Sequence, residues 1–372
     1  MPPDFQRDVR CVLGLPFDVV TEAQAEGVIR RAIRDRNRCF LSTPNLNFVA
    51  GCLSDAEFRS SVLASDLSIA DGWPIVAVAR LLGIPLPERV AGSSLFERIR
   101  HSSRPAVSVY LFGGPEGAAK AACEQLNSTE SGVTCVGFDA PGFGTVEQMS
   151  STENLKRINA AAADFVIVAL GAKKGQAWIR RNLGRINAPV VSHLGAVVNF
   201  AAQTLARAPL WMQRMGLEWA WRIKEEPGLW RRYANDGLAL FSLLAWRVLP
   251  NALYALVRRP GRRATSSAKA NLFVTPSGTT VGLEGAWTHA NLAPLRTAFS
   301  SEDVIGKPLV IDLAQVTYLD SAAIGLLSLL YSAHECSGLS WRIKATSPQA
   351  RRLLRWACAE YVLEERHAPP LT

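Results

Sequence analysis

The chain has 372 residues, of which 48% are hydrophobic and 20% charged, enough apolar material for two domains with real cores and too much for global disorder. The net charge of +9 is unevenly spread: residues 204–263 hold 11 Arg and Lys against 4 Asp and Glu, together with five of the ten Trp. Such a basic, indole-rich segment points to an anionic partner, whether nucleic acid, membrane or phosphorylated substrate.

Taken in order, Arg10–Leu15 reads as a first strand with its turn at Pro16, and Thr21 as the N-cap of the following helix. Residues 39–42 form a strand and a helix starts at Asn47; Asp55–Leu63 continues the helical pattern. Leu67–Ala70 is a strand ending at Asp71-Gly72, before a helix-like run. Val107–Gly114 is a buried strand closed by Gly113-Gly114, with a helix opening at Pro115. Such a turn suits a phosphate at a helix N-terminus, although tight packing also demands Gly. Val133–Phe138, Asp164–Gly171 and Pro189–Gly195 are further strands, with helices around 152–162 and after Gly171. This strand–Gly–helix rhythm predicts an α/β fold: a doubly wound, Rossmann-like, mainly parallel sheet over residues 1–203.

The rhythm stops near residue 200. Leu205–Arg222 reads as helices with Arg and Trp interleaved, and Leu238–Val257 is an apolar run of bilayer length. Arg247 and a break at Pro250-Asn251 favour an interfacial helix over a span, with a buried helical hairpin as the other reading. Residues 204–260 are therefore predicted to be a helical, membrane-associated appendage and 261–270 a linker. Residues 271–372 form a second, smaller α/β module, with strands near 272–275, 280–285, 308–313 and 339–345 and helices near 291–299, 322–331 and 348–357.

The seven Cys are odd in number, form no CxxC pair and lie mostly in apolar runs, which reads as reduced thiols of a cytoplasmic protein. Met1–Arg7 has no apolar stretch of the kind a cleaved signal peptide carries.

The chemistry gathers at strand ends. Asp71 follows one strand, Thr43-Pro-Asn-Leu-Asn47 follows another, and Arg89 precedes Gly92. A carboxylate, a guanidinium and a small polar cluster suit deprotonation of an alcohol beside a phosphorylated leaving group. From spacing alone, Asp71-Gly72 also reads as a plain turn and Arg89 as a surface charge.

Thr43-Pro-Asn-Leu-Asn, Ala70-Asp-Gly-Trp-Pro-Ile-Val, Glu88-Arg-Val-Ala-Gly-Ser, Leu111-Phe-Gly-Gly-Pro-Glu-Gly, Pro141-Gly-Phe-Gly, Ala169-Leu-Gly-Ala-Lys-Lys, Arg207-Ala-Pro-Leu-Trp, Gly216-Leu-Glu-Trp and Glu226-Pro form a long collinear set. With it, residues from about 10 to 235 resemble the WecG/TagA/CpsF family of bacterial glycosyltransferases. The resemblance implies an inverting transferase. It would move a hexosyl or N-acetylhexosaminyl group from a UDP-sugar to a sugar on undecaprenyl diphosphate, in exopolysaccharide or surface-glycan synthesis. It would work as a peripheral protein on the inner face of the cell membrane. Carried over, Asp71 looks like the general base and Arg89 like the stabiliser of the leaving diphosphate. Thr43, Asn45 and Asn47 look like substrate contacts, joined by Gly113, Gly114 and Gly171, and by Gln176 as a substitute for the family's Gln after a small shift. Arg214, Arg222, Arg231 and Arg232 look like phosphate or anionic-lipid contacts. No DxD-like metal pair stands out, so charge stabilisation is assigned to Arg and helix N-termini, with no metal and no cofactor.

The family's Gly-Ala-Pro-Lys-Gln-Glu is here Gly171-Ala-Lys-Lys-Gly-Gln176, so the family's Gln aligns with Gly175. Its Phe-Asp is here Asn199-Phe200 in a shifted context. Residues from about 270 to 368 resemble a STAS domain of the anti-sigma-factor-antagonist type, through Val310-Ile-Asp-Leu-Ala-Gln-Val-Thr-Tyr-Leu-Asp-Ser-Ala-Ala-Ile-Gly-Leu-Leu. Ser321 aligns with the phosphorylatable position, and also reads as a simple helix cap. The resemblance implies a regulatory or docking module with a protein partner, and a homo-oligomer is compatible with it. Two functions follow as alternatives: an active transferase, or a weakened transferase-like sensor of nucleotide sugar or lipid acting through the STAS module. Nucleic-acid binding is disfavoured because the Arg residues alternate with Leu and Trp and no nucleic-acid motif occurs.

Overall fold

The computed structural model describes residues 4–102, 105–128, 130–202, 208–258 and 268–366. The chain opens with an antiparallel hairpin, β1 (Val9–Val12) and β2 (Leu15–Asp18). Its turn lies at Leu13-Gly14, both at positive φ, and not at Pro16, which is inside β2. Gly14 is required twice over there, since a Cβ would stand 2.5 Å from the Cys358 carbonyl oxygen.

Six parallel strands follow: β3 (Cys39–Ser42), β4 (Leu67–Ser68), β5 (Val107–Gly113), β6 (Val133–Asp139), β7 (Phe165–Ala169) and β8 (Val190–His193). Their order across the sheet is β4-β3-β8-β7-β5-β6, all parallel, so the predicted doubly wound α/β sheet is present. The intervening helices are α1 (Glu22–Asp35), α2 (Leu46–Ser54), α3 (Ala56–Leu63), α4 (Trp73–Leu81), α5 (Gly92–Arg100), α6 (Ala118–Asn127), α7 (Val146–Met149), α8 (Thr152–Ala160), α9 (Ala172–Asn182) and α10 (Gly195–Ala201). Thr21 caps α1 as expected, in a capping box with Gln24. Asn45, not Asn47, opens α2, and Asp55 starts a separate helix because its side chain caps Phe58. Helix α6 begins three residues after Pro115, past the left-handed Gly117. Cys123 on α6 and Cys135 on β6 form a disulfide, because α6 packs on β6 and turns Cys123 towards it; the expectation of seven reduced thiols is corrected for this pair.

The appendage comprises α11 (Leu210–Arg214), α12 (Glu218–Glu225), α13 (Trp230–Leu243) and α14 (Leu249–Arg258). The predicted break at Pro250 is absent. A π-turn over Leu244–Val248, with the Leu249 N–H on the Leu244 carbonyl, joins α13 to α14 without interruption just before Pro250. Residues Pro227–Val257 are long and apolar enough to cross a bilayer by length and composition, and only 6% of the most apolar window is buried. That exposure rules out the buried hairpin. Residues 203–207 and most of the predicted linker, 261–267, lie outside the described residues.

The second module has strands β9 (Lys269–Thr275), β10 (Gly278–Trp287), β11 (Leu309–Leu319) and β12 (Trp341–Thr346), in the order β12-β11-β10-β9. Its helices are α15 (Ala293–Phe299), α16 (Glu302–Ile305), α17 (Ser321–Cys336) and α18 (Pro348–Trp356). Helix α17 is buried from Ala322 to His334, between its own sheet and the β1–β2 hairpin. Gly325 permits this: a Cβ there would stand 3.2 Å from the Cys11 nitrogen and from Val9. Tyr361 also donates to the Gly14 carbonyl at 2.8 Å, and Arg296 reaches the Arg7 carbonyl at 2.7 Å. One apolar core therefore runs through both modules.

Candidate active site

The carboxyl ends of β3, β4, β5, β7 and β8 share one edge of the sheet, where an open α/β fold places its ligands. Asp71 stands just beyond β4. Its backbone N–H donates to the Pro44 carbonyl at 3.0 Å, which sets the Thr43–Asn45 loop against Asp71-Gly72. The Gly92 N–H, first in α5, donates to Asp71 Oδ2 at 3.3 Å. The carboxylate is enclosed by protein, yet 26% of its side-chain surface reaches solvent. Burial pushes its pKa up to about 6, with Glu218 adding to the rise, while Arg89, the Gly92 N–H and Arg222 pull against it. Asp71 remains mostly ionised at pH 7 and is a stronger base than a solvated aspartate.

Arg89 lies 3.9 Å from Asp71 Oδ1, but both terminal nitrogens are engaged by Glu218, at 2.9 and 2.7 Å. Glu218 opens α12, so this fork ties the appendage to the sheet edge. Trp73 makes a second tie: its indole N–H donates to the Gln213 carbonyl at 3.1 Å. Gly216, at φ +72°, lies flat on the same ring, where a Cβ would come within 2.5 Å of it. The appendage thus forms one wall of the cleft. From that wall Arg222 acts on Asp71 electrostatically, packs over Phe200 and keeps a buried Nη1 with no hydrogen-bond partner among the described residues. A guanidinium N–H in such a place is chemically able to donate to an anion.

Thr43 is buried against Gly92, and Asn45 spends its side-chain oxygen on the Phe48 N–H at 3.2 Å while touching Gly72. Gly113 and Gly114 have positive φ; the Gly114 N–H is bound to the Ala169 carbonyl at 2.8 Å. Gly171, with open space beside it, precedes α9 without a side-chain cap, and Gly72 does the same for α4. Both helices therefore present unsatisfied N–H groups at this edge.

The remaining expected residues are placed elsewhere. Gln176 is fully buried, with its amide on the Ser42 hydroxyl at 3.1 Å, so it supports the core and does not line the cleft. Asn47 donates to Asp236 of α13 at 3.3 Å, a tie between α2 and the appendage. Arg231 and Arg232 are exposed and lie over the neighbouring rings of Trp230 and Tyr233. The side chain of Arg214 lies outside the described residues. Ser321 is half-buried at the start of α17, where Asp320 already accepts from the Ala322 and Ala323 N–H groups.

Sequence reasoning missed two residues. Glu218 was available inside Gly216-Leu-Glu-Trp, but only the fold shows that it holds Arg89. His193, at the end of β8, fills the space beside Gly175, where a Cβ would meet its ring at 2.3 Å. Burial lowers its pKa to about 4, so the ring is neutral, and its Nε2 has no partner among the described residues. The loss of a side chain at position 175 is thus matched by an imidazole in its place.

One edge of a doubly wound sheet thus carries Asp71, Arg89, Arg222 and two helix starts without a side-chain cap. Residues 10–253 match the family model described as glycosyl transferase WecG/TagA/CpsF, and residues 273–362 match that of the Mlab-type STAS domain. The chain belongs to the WecG/TagA/CpsF glycosyltransferase family and carries a STAS domain after it. Among similar proteins are the N-acetylglucosaminyldiphosphoundecaprenol N-acetyl-beta-D-mannosaminyltransferases of Bacillus spizizenii and Staphylococcus aureus. The first is 25% identical over 53% of this chain and 76% of its own length. The second is 24% identical over 59% of this chain and 85% of its own.

Proposed function

We propose that the protein transfers a sugar from a UDP-sugar to a hydroxyl of a sugar carried on undecaprenyl diphosphate, with inversion at the anomeric carbon. The observation that carries this reading is Asp71: a carboxylate raised to about 6, set at the cleft beside Arg89 and Arg222. Asp71 takes the proton of the acceptor hydroxyl as its oxygen bonds to the anomeric carbon. The bond from that carbon to the UDP oxygen breaks in the same displacement, and UDP leaves with the electron pair. The negative charge that grows on the leaving diphosphate is met by Arg222 and by the N–H groups at the starts of α4 and α9. Arg89, held by Glu218, keeps the appendage wall closed and adds positive potential. Thr43, Asn45, Gly113 and Gly114 shape the floor beneath the sugars. The exposed apolar helices of the appendage hold the enzyme on the inner membrane face, where the lipid-linked acceptor lies.

One observation favours a second reading. Gly175 stands where the family has Gln, the His193 ring fills the space beside it and Lys173 is engaged by Asp55, changes that suit a protein which binds nucleotide sugar and turns it over poorly. Release of UDP from a panel of UDP-sugars, with a short-chain GlcNAc-diphosphate lipid as acceptor, separates the two. Acceptor-dependent UDP release supports the transferase. Donor binding without release under every pairing supports the sensor.

A further inference from the structure

We infer that the cavity between α13–α14 and α18 is a site for the phosphate headgroup of an anionic phospholipid, through which the STAS module grips the bilayer directly. This goes beyond the transferase reading but rests on its premise that the appendage meets a membrane.

The cavity measures about 770 Å³. Four guanidinium groups line it, Arg247 from the π-turn and Arg351, Arg352 and Arg355 from α18, with Trp246 and Trp356 among the walls. Arg247 is neutralised by Glu360 at 2.6 Å. The other three are exposed, and among the described residues no carboxylate pairs with them. The sequence of α18, Pro-Gln-Ala-Arg-Arg-Leu-Leu-Arg-Trp, contains no acid at all. Leu353 and Leu354 are buried in the module's core, so the helix turns its arginines outwards. Arg352 lies 5.8 Å from the Trp356 ring, and Trp356 in turn contacts Tyr254 of α14 at 5.4 Å. The positive cluster is therefore fixed against the long helix.

That helix supplies the second half of the argument. Leu238, Phe241, Trp246, Leu249, Leu253 and Leu256 are all exposed, from 47% to 82%. Their steps are three, five, three, four and three. The step of five falls across the π-turn, whose extra residue keeps the stripe in register and turns Arg247 away from it. The arginine cluster thus borders a continuous apolar stripe. Arginines alone would suit any polyanion, and a stripe alone any greasy surface. The two together fit an anionic head with acyl chains beside it.

The test is flotation of the full chain with vesicles of phosphatidylcholine, with or without phosphatidylglycerol. The variant is Arg351→Gln/Arg352→Gln/Arg355→Gln. A charge-matched control is Arg31→Gln/Lys120→Gln/Lys156→Gln, all exposed on the transferase domain. Wild type should prefer the anionic vesicles, and the α18 variant should lose roughly 100-fold of that preference, from the typical strength of a basic residue at an anionic surface. The control should lose less than about threefold, by screening with distance. Equal losses in both variants, or none in the first, would overturn the site. So would release of wild type from vesicles by millimolar inorganic phosphate, which marks a soluble-anion site. Retained far-UV dichroism and melting temperature show that the variant folds. Because no sugar substrate is present, failure here is distinct from failure of the transferase reading.

Discussion

The start of α17 and the starts of α4 and α9 are the same structural device used in opposite ways. At α17, Asp320 occupies the first free N–H groups, and the helix behind it is buried for almost its whole length against the β1–β2 hairpin. At α4 and α9 a glycine precedes the helix, no side chain caps it, and open space or a charged cleft lies in front. The first arrangement closes its hydrogen bonds and spends them on stability. The second leaves them open at the edge that also holds the raised Asp71 and the Arg222 and His193 nitrogens that have no partner among the described residues. Buried polar atoms without a partner among the described residues also occur near α17, at Trp287 Nε1 and Glu335 Oε2, so it is their gathering with Asp71 at one sheet edge that marks the open end.

Two substitutions press on that contrast. The larger effect is expected at the open end: Arg222→Gln should lower kcat by on the order of 10²-fold with little change in melting temperature, as for loss of one preorganised donor to a developing anion. Steady-state UDP release alongside a thermal melt checks it. A large drop in melting temperature with normal kcat would make Arg222 a structural residue. The smaller effect is expected at the closed end. Asp320→Ala should cost about 1 kcal/mol of stability, read from the urea midpoint, and leave transfer kinetics as they were. A kinetic defect without loss of stability would place a function at α17 that its closed cap does not suggest.

The sheet was legible because β5 and β7 are apolar runs followed by Gly, and β3 and β4 are short apolar runs that lead to Thr43 and Asp71, a local pattern. Asp71 was legible for the same reason. Glu218 was not, because its partner Arg89 lies 129 residues away and only the fold brings them together. Gln176 misled because it was offered as a stand-in, after a small shift, for the family's Gln that aligns with Gly175, and its position on α9 faces the core and Ser42. The π-turn left no mark in composition, and Pro250 read as a break although the helix runs on through it. The disulfide escaped because Cys123 and Cys135 sit on a helix and a strand that meet only once α6 folds back on β6.

The pH dependence of kcat/KM for wild type and Asp71→Asn tests the central claim most directly. Below its pKa Asp71 is protonated and can accept nothing, so the wild-type rate should fall as pH drops through about 6. Asp71→Asn should bind donor, turn over at least roughly 10²-fold more slowly, and lack that acid limb. Wild-type turnover in the variant, or the same inflection near pH 6, would contradict the assignment of Asp71 as the base.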